Sequence, residues 1–335
     1  MLTRNHWLGI GASILAGAFW GLVFLTPELT RGFSPLQLSA GRYLAYGLVA
    51  AVLLAPSWRR VRPMLGWRDW RTLAWLSFAG NIIYYVFLAN AVQLGGVAMT
   101  SLIIGLLPVT VTLAGRRDVD AAPLLRLLPS LALGIAGLVC ISWQSLSAPR
   151  HGTMQAALIG LLCATGSLVS WTLYAVGNSR TLARLKGVSA NDWSLLVGVV
   201  TGVQALLLAV PAFILHPGTH ATSSWLYFAG LVTTVAILCS VVGNALWNHA
   251  SRLLPLTMTG QMIVFETLFA LLYGFLYRGH GPRPLELAAI ALLVAGVTWS
   301  VRAHAADGAP SAAQGRDLEL AEADGVAGAA HRHQP

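Results

Sequence analysis

One carboxylate, Glu266, stands in the middle of GQMIVFETLFALLYGF (260–275), among apolar and aromatic residues that otherwise read as lipid-embedded helix. An acidic residue at a helix centre costs roughly 2.5–3.5 kcal/mol on insertion scales, so Glu266 needs a partner or a wet cavity. A site for a proton or a substrate charge satisfies that need, and so does a buried hydrogen bond to a helix end or polar neighbour. Arg42 is a second isolated charge, about two turns inside its own apolar run. Its long stem can reach the headgroups, or its guanidinium can pair with a carboxylate, either of the protein or of a substrate. His249, near the end of another run, is the third ionisable candidate, as a proton carrier or as a hydrogen-bonded structural imidazole.

Two polar stripes accompany these groups. Asn81, Tyr84, Tyr85 and Leu88 are spaced i, i+3, i+4, i+7, which puts the amide and both phenol rings on one helical face. Asn244, Trp247, Asn248 and Ser251 repeat the device further along the chain. An asparagine offers donors and an acceptor, as an amino-acid or amide-bearing ligand requires, and the rings supply an apolar wall or a surface for an ammonium. The same residue types also act as hydrogen-bonding glue between membrane helices. Trp20 and Trp171, deep in their runs, complete the candidate lining of a binding cavity with Met99, Met258 and Gln261. Gly17 with Gly21, and Gly198 with Gly202, are small-xxx-small pairs that read as close helix contacts rather than as sites.

No catalytic constellation stands out. Asp118-Val-Asp120 lies in a short Arg-flanked loop without a second acidic motif to hold a metal, and no Gly-x-Ser-x-Gly, His-Glu-x-x-His or Walker A sequence is present. Cys140, Cys163 and Cys239 are widely spaced inside apolar runs, where they read as small packing residues. No metal site and no cofactor are expected.

The elements that must position these residues follow from composition. Of the residues 56% are hydrophobic and only 10% charged, and the mean hydropathy is +0.68. A soluble domain carries about a quarter charged residues, so this chain belongs in a lipid bilayer. The basic residues, 21 in all, are scattered between apolar runs rather than gathered on one face, which speaks against nucleic acid despite a formal charge of +9. Spans of roughly 20 residues fit near 7–25, 36–55, 71–91, 98–115, 123–142, 154–175, 192–214, 225–248, 257–277 and 285–302, giving an all-α integral membrane protein with ten transmembrane helices. The loops facing one side carry most of the arginines, among them Arg59, Arg60, Arg62, Arg180 and Arg184, whereas the other side keeps Arg31, Arg150, Arg278 and Arg283. That bias predicts both termini on the cytoplasmic side. Residues 304–335, rich in Ala, Gly, Asp and Glu, read as a disordered cytoplasmic tail.

The two halves of the chain are weakly similar. GGVAMTSLIIGLLPVTVTL from Gly95 aligns without gaps with LPLTMTGQMIVFETLFALL from Leu254, pairing Met99 with Met258 and Leu107 with Glu266. At the same offset Tyr85 faces Asn244 and Asn90 faces His249. Five spans per half make the halves, 1–150 and 151–303, inverted repeats, a device of secondary transporters that bind near the midplane between the repeats.

GAFWGLVFL in the first run, SPLQLSAGRYLAYGLVA in the second, LLPVTVTL around Pro108 and PLELAAIALLVAGVTW in the last run resemble the EamA-type transporters of the drug/metabolite transporter superfamily. The resemblance covers nearly the whole chain. Thr267 stands where that family commonly has a Pro after the Glu, and His280 where it commonly has a Glu. The resemblance implies a bundle of ten helices with a central cavity and the export of small metabolites by alternating access, amino acids and aromatic ones among them. It implies a monomer in a bacterial inner membrane, with a small-molecule substrate and the bilayer as its partners. A multidrug exporter is the alternative, and a membrane-embedded lipid enzyme or scramblase is the alternative of a different class.

Overall fold

Helix starts are encoded as caps. Ser34 accepts a hydrogen bond from the Gln37 backbone N–H while the Gln37 side chain accepts from the Ser34 N–H, and Pro35 fills the first helical turn. Thr153 and Ser189 cap two later helices through Ala156 and Asp192. Gly279, at φ 68°, ends another in the left-handed region, where a side chain is disfavoured.

The computed structural model describes residues 3–30, 32–116, 123–146, 153–215, 218, 220–279 and 281–307, and the regular structure among them is helical, without strands. The long helices are α1 (Arg4–Phe24), α2 (Pro35–Leu54), α3 (67–104), α4 (Leu107–Gly115), α5 (Leu124–Leu146), α6 (Met154–Arg184), α7 (Ala190–Ile214), α8 (Thr222–Leu253), α9 (Leu256–Tyr277) and α10 (Pro284–His304). Eight helical segments, among them Trp67–Val92 of α3, are long and apolar enough to cross a membrane, and Leu124–Cys140 is a shorter apolar one. Asp118, Asp120, His280 and all but the first residues of the expected tail lie outside the described residues.

One boundary differs from the sequence expectation. The helical run of α3 continues through residues 92–97, where the spans 71–91 and 98–115 were expected to be joined, and breaks instead at Gly105 and Leu106. Pro108 supplies the reason, because it has no N–H to offer the Ile104 carbonyl four residues back. Residues 92–97 contain no such breaker.

The helix pairing has a pattern. α2 packs along α7, α4 against α9 and α5 along α10. α1 packs on α8 and α9, and α6 packs on α3 and α4. Exchanging each helix with the one five places away leaves this set of pairs unchanged. Glycines set the closest approaches. A Cβ on Gly202 of α7 would lie 2.5 Å from the Cα of Gly47 on α2, and Cβ atoms on Gly17 and Gly21 of α1 would meet the α9 backbone at Glu266 and Ala270, each at 2.9 Å. The two glycine pairs are therefore helix contacts, as their spacing suggests.

Among the described residues three segments are π-helical, Phe78–Ile83 in α3, Val210–Leu215 at the end of α7 and Ala236–Gly243 in α8, and the first and last of these interrupt long helices. The offset that pairs Tyr85 with Asn244 superimposes the first on the last. A π turn mispairs the helical ladder and leaves carbonyls for outside donors. The Ala79 carbonyl accepts from Ser170 Oγ of α6 at 2.7 Å, and the Cys239 carbonyl accepts from Trp20 Nε1 of α1 at 2.9 Å. Each of these two bulges is thus held by the helix that packs on it.

Candidate functional site

Arg42 is buried in the centre of the bundle, on the face of α2 that carries Tyr43 and Tyr46. Its guanidinium carbon lies 5.4 Å from the ring centroids of both Tyr43 and Tyr85, and its Nε donates to Ser240 Oγ at 3.2 Å. The Tyr43 and Tyr85 rings meet edge to face at 5.9 Å. Desolvated cation–π contacts of this kind are worth about 2 kcal/mol, so Arg42 is held as a charge inside the bundle instead of reaching for the headgroups.

Glu266 is half-buried on α9, beside the Gly17 contact. Among the described residues Arg42 and Glu266 make no ion pair. One positive group on α2 and one negative group on α9 thus sit in the bundle, buried and half-buried, without an ion pair between them.

Beside this pair three indoles close together. Trp20 lies 6.0 Å from Trp171 and 5.3 Å from Trp247, and Trp171 lies 5.7 Å from Trp247. All three are buried. α1, α6 and α8 each contribute one ring, so the cluster joins both parts of the chain. Next to it, Trp193 Nε1 donates to Asn178 Oδ1 at 2.8 Å, and Asn178 Nδ2 donates to Asn248 Oδ1 at 2.6 Å.

The two ends of the bundle differ. At the arginine-rich end Arg184 pairs with Asp69 at 2.5 Å and Arg60 with Asp192 at 2.7 Å. Arg252 donates to the Leu185 and Val188 carbonyls at the same end. At the opposite end a cavity of about 440 Å³ is lined by Ser34, Ser39, Asn90, Pro211 and their neighbours. Ser39 is one turn from Arg42 on α2, and Asn90 is little more than one turn from Tyr85 on α3.

The structure brings Trp20, Tyr84, Tyr85, Trp171, Trp247, Arg42 and Glu266 to one region, with Asn248 adjoining. Asn244 approaches it by donating to the Tyr46 hydroxyl at 3.3 Å, and Asn81 bonds Thr201 of α7 at 3.1 Å. Other expected residues stand elsewhere. Met258 is fully buried in a separate apolar cluster with Ile10, Leu254 and Leu293. Gln261 bridges Thr112 and Ser130 at 2.8 and 2.7 Å, tying α4, α5 and α9 together. His249 is exposed, on the side of α8 away from the buried Trp247 and Asn248. The side chain of Met99 lies outside the described residues. Sequence reasoning missed Tyr43, Ser240 and Asn178. Asn178 was within reach, since Trp171, Tyr174 and Asn178 share the i, i+3, i+7 spacing already used for α3.

Comparison with known proteins shows the family. The model of the EamA-like transporter family matches residues 7–143 and again residues 158–302. The Inner membrane protein YtfF of Escherichia coli (strain K12) is 36% identical over 314 residues, covering 88% of this chain and 95% of that protein. A solved crystal structure matches with a TM-score of 0.65 at 19% identity, over 90% of this chain and 99% of the other, a likeness that concerns the fold alone. A chain that is helical in its regular structure and carries eight membrane-spanning candidates among its described residues, matched twice by one family along its length, is a multi-pass membrane transporter of the drug/metabolite transporter type and belongs to the EamA-like transporter family.

Proposed function

We propose that this protein is a bacterial inner-membrane secondary transporter that exports small metabolites, with amino acids, aromatic ones among them, as the first substrate class. The observation that carries the reading is Arg42 buried against the Tyr43 and Tyr85 rings, with Glu266 of α9 not paired to it. A zwitterion needs one group of each sign, and a desolvated site supplies them best when the two protein charges are not already paired with each other. Tyr85, Trp20 and Trp171 offer ring faces to an apolar side chain or an ammonium. The inner-membrane placement draws support from the name of the Escherichia coli relative.

The proposed mechanism is alternating access between two inverted halves, 1–150 and 151–303, within a ten-helix monomer whose termini face the cytoplasm. The double family match and the pairing of helices five places apart support the repeat. The arginine bias supports the orientation. In this reading the conformation described above is closed at the cytoplasmic end by the two ion pairs and the indole cluster, and open at the far end through the cavity at Asn90. Rocking of one half against the other exchanges access.

Purified protein in liposomes, offered labelled amino acids and cationic drugs with and without a pH gradient, tests the proposal. Saturable amino-acid exchange is expected. Exchange of cationic drugs alone would favour the multidrug reading. Modification or scrambling of lipid with no solute movement would contradict both.

A further inference from the structure

Four polar groups on little more than one turn of α8 have no hydrogen-bond partner among the described residues: Trp247 Nε1, Asn248 Nδ2, Ser251 Oγ and Arg252 Nε. Trp247, Asn248 and Ser251 are 2%, 0% and 7% exposed. In a protein interior such groups are nearly always bonded, because leaving one unpaired costs about 1–3 kcal/mol.

The orientation of the Asn248 amide is fixed by its neighbours. An indole N–H can only donate, so Trp193 requires an acceptor and Asn178 must present its Oδ1. Asn178 is then left with Nδ2, which requires the oxygen of Asn248. The free atom of Asn248 is therefore its NH₂ group. Trp247, Asn248 and Arg252 all offer N–H, and the Ser251 hydroxyl is able to donate. A set of donors with no acceptor-only member calls for a ligand rich in acceptors. At 100° per residue, 247, 248 and 251 span about 100° of the helix circumference, one face that points into the bundle.

This face runs from the indole cluster towards the arginine-rich end, where Arg252 adds a positive charge. The Arg184–Asp69 and Arg60–Asp192 pairs close the same end. We infer that the Trp247–Asn248–Ser251 turn of α8, with Arg252 beside it, is a carboxylate-binding subsite on the cytoplasmic path, loaded by the substrate before its carboxylate passes to Arg42. The inference rests on the transport reading and deepens it, since Trp247 and Asn248 adjoin the Arg42 region while Ser251 and Arg252 follow them along α8. It assigns these donors a ligand that is an organic carboxylate, and it makes the ion pairs the barrier in front of them.

The test follows the Trp247 indole N–H in the full chain, labelled with ¹⁵N-tryptophan in lipid nanodiscs, with Trp247→Phe used to assign the signal. Acetate and L-phenylalanine are the titrants, and chloride and phenethylamine are the controls. Wild-type protein is compared with Asp69→Asn/Asp192→Asn protein, whose closed end is unlatched, and with the single variant Asp69→Asn in case the double variant does not fold. Both carboxylates are expected to shift the signal saturably, at lower concentration in the unlatched protein, and Ser251→Ala is expected to weaken binding about tenfold. The controls are expected to leave the signal in place. No saturable shift in wild-type or unlatched protein, or an equal shift with phenethylamine, would overturn the inference and leave the donors to bound water alone. Because the readout is binding, it stands apart from the liposome experiment: exchange without a shift removes the subsite, and a shift without exchange removes the transport reading.

Discussion

At the scale of single residues, the account turns on two charges that do not touch. Arg42 keeps its charge in the bundle by lying over the Tyr43 and Tyr85 rings while its Nε bonds Ser240, a combination that a lysine ammonium does not reproduce. Arg42→Lys is expected to raise the half-saturating substrate concentration about tenfold in exchange assays, with the protein still folded. Glu266→Gln is expected to abolish accumulation driven by a pH gradient while leaving exchange in place, and accumulation at wild-type rates would make Glu266 structural. Both charges were legible in the sequence, since an isolated ionisable residue in an apolar run is conspicuous. Tyr43 was not, because a tyrosine among small and apolar residues carries no sign of which helix it will face. Met258 and Gln261 were expected in the cavity for the converse reason: α9 is apolar on several sides, and only the packing of α4, α5 and α10 selects the face they occupy.

At the scale of elements, close approach is set by the absence of side chains. Gly202→Val places a branched side chain where the Gly47 backbone lies 2.5 Å from the first added carbon, and a backbone cannot swing aside as a side chain can. A loss of about 1–3 kcal/mol or more is expected, read as a lower thermal unfolding midpoint in detergent. Gly230→Val, at a helical position with nothing within 4 Å, is the matched control and is expected to leave the midpoint close to that of the wild type. The helices themselves were largely legible as apolar runs with Ser and Thr caps. The boundary of α3 was not, because the length rule divides a long apolar stretch evenly whereas the chain breaks where Pro108 withholds its N–H. Nor were the π segments FAGNII and AILCSVVG legible, since neither contains proline. Their carbonyls are taken by Ser170 and Trp20 from other helices, contacts that exist only in the assembled bundle.

At the scale of the whole molecule, the closed end is held lightly. Arg184 and Arg60 are more than half exposed, so their pairs with Asp69 and Asp192 contribute at most about 1 kcal/mol each. In the proposed alternating-access cycle a weak latch suits a barrier that must open each time, with the buried indole cluster and the Asn178–Asn248 bond supplying the rest of the closure. Removing both carboxylates with Asp69→Asn and Asp192→Asn is expected to shift the resting population towards the state open at the arginine-rich end, by up to about thirtyfold. Reciprocal accessibility tests the central claim, alternating access to a site between the halves, most directly. Asn90→Cys reports on the cavity end and Ser251→Cys on the arginine-rich end, each in a background with Cys140, Cys163 and Cys239 replaced, labelled with a water-soluble maleimide with and without the two latch substitutions. The account predicts that opening the latch slows labelling at 90 and speeds it at 251. Parallel changes at both positions, or none at either, would contradict it.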